Sequence, residues 1–167
     1  AVDSVLAQTF RDFELIVVDD GSTDGSENIL DEYGTSLHAV RQSNRGVSAA
    51  RNAGISIANS PHIALLDSDD LWLPGKLEMQ AAYMRDHPDI LIHQCEETWI
   101  RNGRRVNPGR RHIKPEGMIF PQSLDLCLIS PSSVVIRRDL LERTGLFDEA
   151  LPACEDYDLW LRITLRE

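Results

Sequence analysis

Two short apolar runs, each broken by a cluster of carboxylates, constrain this chain more than anything else in it. Phe13-Glu14-Leu15-Ile16-Val17-Val18 gives way to Asp19-Asp20-Gly21-Ser22, and His62-Ile63-Ala64-Leu65-Leu66 gives way to Asp67-Ser68-Asp69-Asp70. Apolar, β-branched runs of this length read as buried strands of a parallel sheet. Ligands of open α/β sheets bind beyond the carboxyl ends of the strands, so the two acidic clusters should share one crevice. Two unit charges about 4 Å apart repel by roughly 4 kcal/mol at an effective dielectric near 20. The Asp67–Asp70 cluster therefore asks for a cation, and a divalent metal is the simplest candidate.

The rest of the chain alternates helix and strand around these runs. Val2, Val5 and Leu6 lie on one helical face near the start. Asp24, three residues before Glu27, has capping-box spacing and opens a helix with an Ile29, Leu30, Tyr33 stripe that Gly34 stops. Leu37–Arg41 reads as a strand, and 47–58 as a helix whose face of Val47, Ala50, Gly54 and Ile57 suits close packing on a sheet. Pro74 opens a helix with Leu77, Ala81 and Met84 on one side, which ends before Pro88. Ile90–Ile100 reads as one strand, Asn102-Gly103 as a hairpin turn, Leu124–Leu128 as a short helix, Ser132–Ile136 as a strand, Asp139–Arg143 as a helical turn and Glu155–Arg166 as a helix. The β-α-β-α-β-α order predicts an α/β fold: an open, mostly parallel sheet flanked by helices, with a small antiparallel hairpin region.

Composition narrows the function. A length of 167 residues suits a single domain, and the chain starts and stops inside helical patterns, as a piece truncated at both ends would. A net charge of −10 argues against nucleic acid as a partner. Yet Arg101, Arg104, Arg105, Arg110, Arg111 and Lys114 cluster with no acid among them. Cys95, Cys127 and Cys154 are odd in number and widely spaced, which suggests neither a disulfide framework nor a zinc site and fits reduced thiols in a cytoplasmic protein. No apolar run is long enough to span a membrane, and no signal peptide is present.

Several side chains then carry candidate chemistry. In Asp67-Ser68-Asp69 alternate side chains of an extended segment point the same way, so one carboxylate can address a metal and the other a ribose or sugar hydroxyl. A D-x-D alone fits a solvated loop equally well; its place between an apolar strand and Leu71-Trp72-Leu73-Pro74 favours the site. Asp19 or Asp20 can accept from the imide N–H of a uracil-type base or from ribose, or can close a strand-to-helix turn. Gly21 admits close backbone approach. Arg51 has the planar fork suited to a pyrophosphate or base, and equally could pair with an acid. Glu155 and Asp156 begin the last helix, where the dipole favours the ionised form that a general base needs, or where they simply cap it.

Taken together, Phe13–Gly25, Ala50-Arg51-Asn52-Ala53-Gly54, Leu66-Asp67-Ser68-Asp69-Asp70, Gly145-Leu146-Phe147-Asp148-Glu149 and Glu155-Asp156-Tyr157-Asp158-Leu159-Trp160-Leu161-Arg162 resemble the family 2 glycosyltransferases of the GT-A fold. The resemblance covers nearly the whole chain. It implies an inverting transferase that uses a nucleotide-diphosphate sugar, UDP-type favoured, with Mg²⁺ or Mn²⁺. Asp19 with Asp20 would bind the base, Arg51 the nucleotide, and Asp67 the ribose or donor sugar. Asp69 would ligate the metal, Asp156 would be the general base, Glu155 would orient acceptor or base, and Asp70 would shape the loop. The acceptor would be a saccharide or a lipid-linked saccharide of bacterial cell-wall or polysaccharide synthesis, with the parent protein peripherally associated with the inner face of the membrane. The family's first strand would lie before Ala1, and a sheet lacking it exposes an edge. The alternatives are a sugar-1-phosphate nucleotidyltransferase on a similar sheet and a non-catalytic nucleotide-sugar-binding domain.

Overall fold

The computed structural model describes residues 1–107 and 109–166. Pro108, inside the basic loop, and Glu167, the last residue of the expected domain, lie outside the described residues. Helix α1 (Val2–Leu6) is followed by β1 (Ile16–Asp20), α2 (Ser26–Glu32), β2 (His38–Gln42), α3 (Val47–Ile57), β3 (His62–Ala64) and α4 (Lys76–Asp86). Then come β4 (Ile92–Gln94), β5 (Trp99–Arg101), β6 (Arg104–Val106), α5 (Phe120–Ser123), β7 (Val134–Arg137), α6 (Arg138–Thr144) and α7 (Glu155–Thr164).

The strands form three ladders. β1 and β2 pair in parallel, with Asp19 opposite Arg41 and Asp20 opposite Gln42. β7 runs antiparallel between β3 and β4, so β3 and β4 share a direction. β5 and β6 make a separate antiparallel hairpin. The α/β class holds, but among the described strands only the β1–β2 ladder is parallel, because the late strand β7 inserts against the direction of β3 and β4. β1 and β3 each have one edge without a ladder. A cavity of about 1410 Å³ lies between them, lined by Leu15, Val17, Ile63 and Leu66 and, at its polar end, by Asp19, Arg51, Asp67 and Asp69.

Helix α3 spans both sides of that gap. Gly54 lies against β1: a Cβ there would meet Val18 Cγ2 at 3.4 Å. One residue on, Ile55 joins the main core of Ile63, Leu65, Val134, Ile136, Leu140, Leu141, Phe147, Leu159, Trp160 and Ile163. The buried face is thus Ser48, Ala49, Asn52 and Ile55, rotated from the expected stripe, whose ends Val47 and Ile57 are exposed. Arg138 terminates α3 by donating to the carbonyls of Ile55, Ala58 and Ser60. A second core joins Val5, Trp72, Leu77, Met84 and Val135.

Four local expectations are corrected. The helix after Asp24 has no capping box: Asp24 Oδ1 accepts from Ser26 N at 3.0 Å and Ser26 Oγ at 2.6 Å, and left-handed Gly25 is the N-cap. The 90–100 strand is two strands, because the chain leaves the sheet after Gln94, where Glu96 Oε1 accepts from Lys114 N at 3.0 Å. The helix expected at 124–128 sits at Phe120–Ser123, with Pro121 in its first turn. The closeness that Gly21 allows is to protein: at φ +79° a Cβ would lie 2.7 Å from Asn44 N.

Two buried amides have no counterpart in the apolar pattern. Gln8 donates to the carbonyls of Ser4 and Leu73 and accepts from Leu77 N, tying α1 to the start of α4. Gln80 donates to Ser133 O at 3.0 Å and accepts from Lys76 Nζ at 2.7 Å. That lysine lies over the Trp72 ring, 4.1 Å from its centroid, and burial pushes its ammonium down to about 8. The shift from 10.5 corresponds to about 3 kcal/mol disfavouring the charged form in the folded state. Between pH 8 and 10.5 the unfolded chain holds the extra proton, so stability rises with pH across that window and the full cost stands below it. Lys76→Met loses a cation–π contact of about 1 kcal/mol along with that cost. It also strips the buried Gln80 Oε1 of its donor, at about 1–3 kcal/mol, so it is expected to stay within about 1 kcal/mol of the parent in urea at pH 7, with no rise in stability across the window.

Candidate active site

The sequence scatters the candidate residues over β1, α3, the segment after β3, and α7, and the fold joins three of them, Arg51, Asp67 and Glu155, through one guanidinium. Arg51 projects from the first half of α3. Its Nη2 donates to Asp67 Oδ1 at 2.7 Å and its Nη1 to Glu155 Oε1 at 2.7 Å. Only 12% of the Arg51 side chain and 13% of the Glu155 side chain are exposed, so both are largely screened from water. The guanidinium carbon also stands 5.1 Å from the Phe147 ring centroid, in cation–π range. A planar fork can bridge two carboxylates on different elements; a lysine, as a point charge, cannot hold both geometries. Arg51 therefore binds the segment after β3 to the start of α7.

The neighbouring Asn52 holds the loop that carries Phe147. Its Nδ2 donates to Phe147 O at 2.9 Å, and its Oδ1 accepts from Phe147 N at 3.1 Å. Asn52 has no role in the sequence pattern; its place beside Arg51 in Ala50-Arg51-Asn52-Ala53-Gly54 is the signal that the sequence offers. Phe147 in turn packs edge-on to Trp160, at 6.3 Å. Trp160 is a core residue.

Ser132 fixes the segment from Asp67 to Trp72. Its hydroxyl accepts from Asp67 N at 3.1 Å, and its carbonyl accepts from Trp72 Nε1 at 2.8 Å. Between these anchors Asp70 N donates to Asp67 O at 3.1 Å, making a tight turn. The turn leaves Asp69 and Asp70 exposed.

The first acidic pair divides. Asp20 is engaged on both oxygens: Oδ1 accepts from Gln42 Nε2 and Arg45 N, and Oδ2 accepts from Gly46 N at 2.8 Å. Burial works to raise its pKa, but these three donors outweigh it and hold the carboxyl below the ordinary range. Asp20 thus fastens the turn that enters α3. Asp19 Oδ1 accepts from Ser22 N at 2.8 Å. Hydrogen bonding from Ser22, hydroxyl before amide, lowers its pKa.

Asp156 stands beside Glu155 at the start of α7. Its Oδ1 accepts from Tyr157 N at 2.8 Å, and Cys127 Sγ lies 4.0 Å from its Oδ2. Burial and then the Asp156 charge push the Cys127 thiol up to about 11, so it stays protonated at neutral pH. Neither Glu155 nor Asp156 lines the cavity that holds Asp19, Arg51, Asp67 and Asp69. Arg51 connects the two regions.

Among the described residues no three His, Cys, Asp or Glu side chains gather to hold a metal ion. Asp69, exposed at the polar end of the cavity, still suits one kind of ion. Mg²⁺ and Mn²⁺ take one or two carboxylates and draw their other ligands from substrate phosphates and water.

The family model described as Glycosyl transferase family 2 matches residues 1–145. The chain belongs to glycosyl transferase family 2. An uncharacterized glycosyltransferase of Rickettsia felis is 33% identical over 98% of this chain and 28% of its own length. The Escherichia coli protein WfaP, a UDP-Glc:alpha-D-GlcNAc-diphosphoundecaprenol beta-1,3-glucosyltransferase, is 32% identical over 97% of this chain and 62% of its own. The Staphylococcus aureus TarS 1–349 structure in complex with UDP superposes with a TM-score of 0.81 at 25% identity, covering 98% of this chain and 50% of TarS 1–349. The fold is thus that of the GT-A glycosyltransferases. The chain spans about half or less of the first Rickettsia relatives it matches. Membership in this family favours sugar transfer over nucleotidyl transfer.

Proposed function

We propose that this family 2 glycosyltransferase chain supplies the donor-binding and catalytic face of an inverting enzyme, one that moves a hexosyl group from a UDP-sugar to a hydroxyl of a lipid-diphosphate-linked saccharide. The observation that carries the reading is the Arg51 fork. By joining Asp67 to Glu155 it brings the donor-side acids and the start of α7 into one unit. TarS is known in complex with UDP and with UDP-GlcNAc, and WfaP is named for a diphosphoundecaprenol-linked acceptor; both support the substrate classes.

In this reading Asp19 accepts from the uracil imide, Asp67 turns its free oxygen to the ribose or donor sugar, and Asp69 would hold a divalent ion. That ion would supply Lewis-acid stabilisation of the departing diphosphate. Asp156 takes the proton from the acceptor hydroxyl, whose oxygen forms the new bond to the anomeric carbon as the bond to the diphosphate oxygen breaks on the opposite face. Nucleoside diphosphate leaves with the electron pair, and the proton ends on Asp156. Glu155, neutralised by Arg51, keeps a second negative charge from competing with that base. Asp20 and Asp70 shape their turns. The chemistry belongs in the cytoplasm, at the inner face of the membrane where a lipid-linked acceptor is accessible.

The test is a binding and product assay on a polypeptide of the relatives' length containing this chain. UDP-sugars with Mn²⁺ should raise its melting temperature by mass action, while GDP-sugars should not. With acceptor present, UDP and a glycoside of inverted anomeric configuration should form. Release of pyrophosphate, or retention of configuration, would overturn the reading.

A further inference from the structure

The β5–β6 hairpin is built unlike the rest of the molecule. Its six strand residues are all exposed, and its strands pair only with each other. A lone two-stranded hairpin is marginally stable in water. The turn itself is well made, with Asn102 at φ +51° and Gly103 at φ +70°, as two-residue hairpin loops require.

The register sets Arg101 opposite Arg104 and Trp99 opposite Val106 on one face, and Ile100 opposite Arg105 on the other. Like charges directly opposite destabilise a hairpin, and no ion pair among the described residues involves Arg101, Arg104, Arg105 or Arg110. In a chain of net charge −10, cations would have acids to pair with if they were folded against the body. Instead they stand among exposed apolar side chains: Ile100, Val106, Ile113 and the partly exposed Trp99.

The root of the hairpin is fixed near the candidate base. Lys114 Nζ pairs with Glu97 Oε1 at 3.3 Å and donates to Leu128 O at 3.2 Å. The residue before Leu128 is Cys127, which contacts Asp156.

We infer that β5, β6 and residues 109–113 form a docking surface for an anionic lipid bilayer, the arginines meeting lipid phosphates and Trp99, Ile100, Val106 and Ile113 entering the interface. Cations alone would serve any polyanion. The interleaved apolar side chains suit a bilayer, where aromatic and aliphatic groups gain by leaving water beside the headgroups. The surface would present a lipid-linked acceptor to the Asp156 side of the crevice. In that respect it builds on the proposed function, although vesicle binding can be measured without turnover.

The intrinsic probe is Trp99. Of the three tryptophans, Trp160 is 1% exposed, Trp72 9% and Trp99 40%, so a blue shift of emission reports the hairpin. Vesicles of phosphatidylglycerol and phosphatidylcholine should produce that shift and co-sediment the chain, and raised salt should release it. Phosphatidylcholine alone should do neither. Trp99→Phe should lose the shift and still co-sediment. The triple variant Arg101→Glu/Arg104→Glu/Arg105→Glu should bind anionic vesicles about a hundredfold or more weakly, from about fivefold per arginine. Its melting temperature, read alongside, should stay put because the hairpin carries no core. If the triple variant melts lower, salt release of the wild-type chain decides instead.

Failure to bind anionic vesicles, equal binding by a folded triple variant, or salt-insensitive binding overturns the inference. Turnover of a lipid-linked acceptor without vesicle binding would overturn this surface alone, and vesicle binding without turnover would overturn the proposed function alone.

Discussion

Asp156→Asn is expected to slow sugar transfer by a factor of about 10² to 10⁴, the range of a positioned general base, while UDP-sugar binding stays within about twofold. The substitution removes the proton acceptor and keeps the shape. Among the described residues Asp156 accepts one N–H, from its neighbour Tyr157, and its other close contact is the Cys127 sulfur. Folding should therefore change little, which separates chemistry from stability. Initial rates under saturating donor and isothermal titration with UDP-sugar check the two halves. Wild-type turnover in a folded Asp156→Asn variant would take the base role from this residue. In Glu155→Gln the loss should come with lower stability, since Glu155 is bound to the buried guanidinium.

The second large effect is Arg51→Ala. Arg51 pairs with two carboxylates in a place partly shielded from water, and removing one member of a buried charge network leaves the others uncompensated. The cost is about 3–5 kcal/mol for fully buried groups. Asp67, 34% exposed, keeps part of its hydration, so the lower end applies here. A loss of about 3 kcal/mol should lower the melting temperature by roughly 6–12 °C in a domain of this size. Arg51→Lys should recover less than half of that, because one ammonium cannot make both contacts. Urea unfolding of the three proteins measures the series. Equal stability of Arg51→Lys and wild type would show that the fork geometry is unimportant.

Much of the candidate site was legible in the sequence because its acids sit at strand ends. An apolar run that stops in Asp-Asp or Asp-x-Asp marks both the strand and its functional end. The partition of roles within each cluster was not legible. Asp19 and Asp20 look alike in sequence, and only the fold shows that Asp20 is engaged by the backbone N–H groups of Arg45 and Gly46 in the turn that enters α3. Arg51 could be paired or ligand-facing by its residue type; that it pairs with two acids, 16 and 104 residues away, is a tertiary fact.

The misplaced elements have the same origin. The strand expected through 90–100 breaks because Glu96 and Glu97 are drawn to Lys114 from the far side of the hairpin. Gln8 and Gln80 carry no apolar signal, yet both are fully buried as hydrogen-bonding hubs. Periodicity sees side chains that avoid water; it does not see polar ones whose partners replace water.

The gap between β1 and β3 has a mechanical consequence. Where a continuous ladder would resist bending with a row of backbone bonds, here the two sheet pieces are linked by α3, through Gly54 on one side and Ile55 on the other, and by the side chains α3 carries. Helix α3 is therefore the axle of the molecule, and Arg51 is the pin through it. A force that pries β1 from β3, whether thermal or exerted by a substrate wedging into the cleft, is resisted by that helix, by the core that Leu15 and Leu66 share, and by Glu14, which accepts from Asn59 N and Ser60 N. The residue that joins Asp67 to Glu155 is also one that ties α3 to the β3 side of the gap.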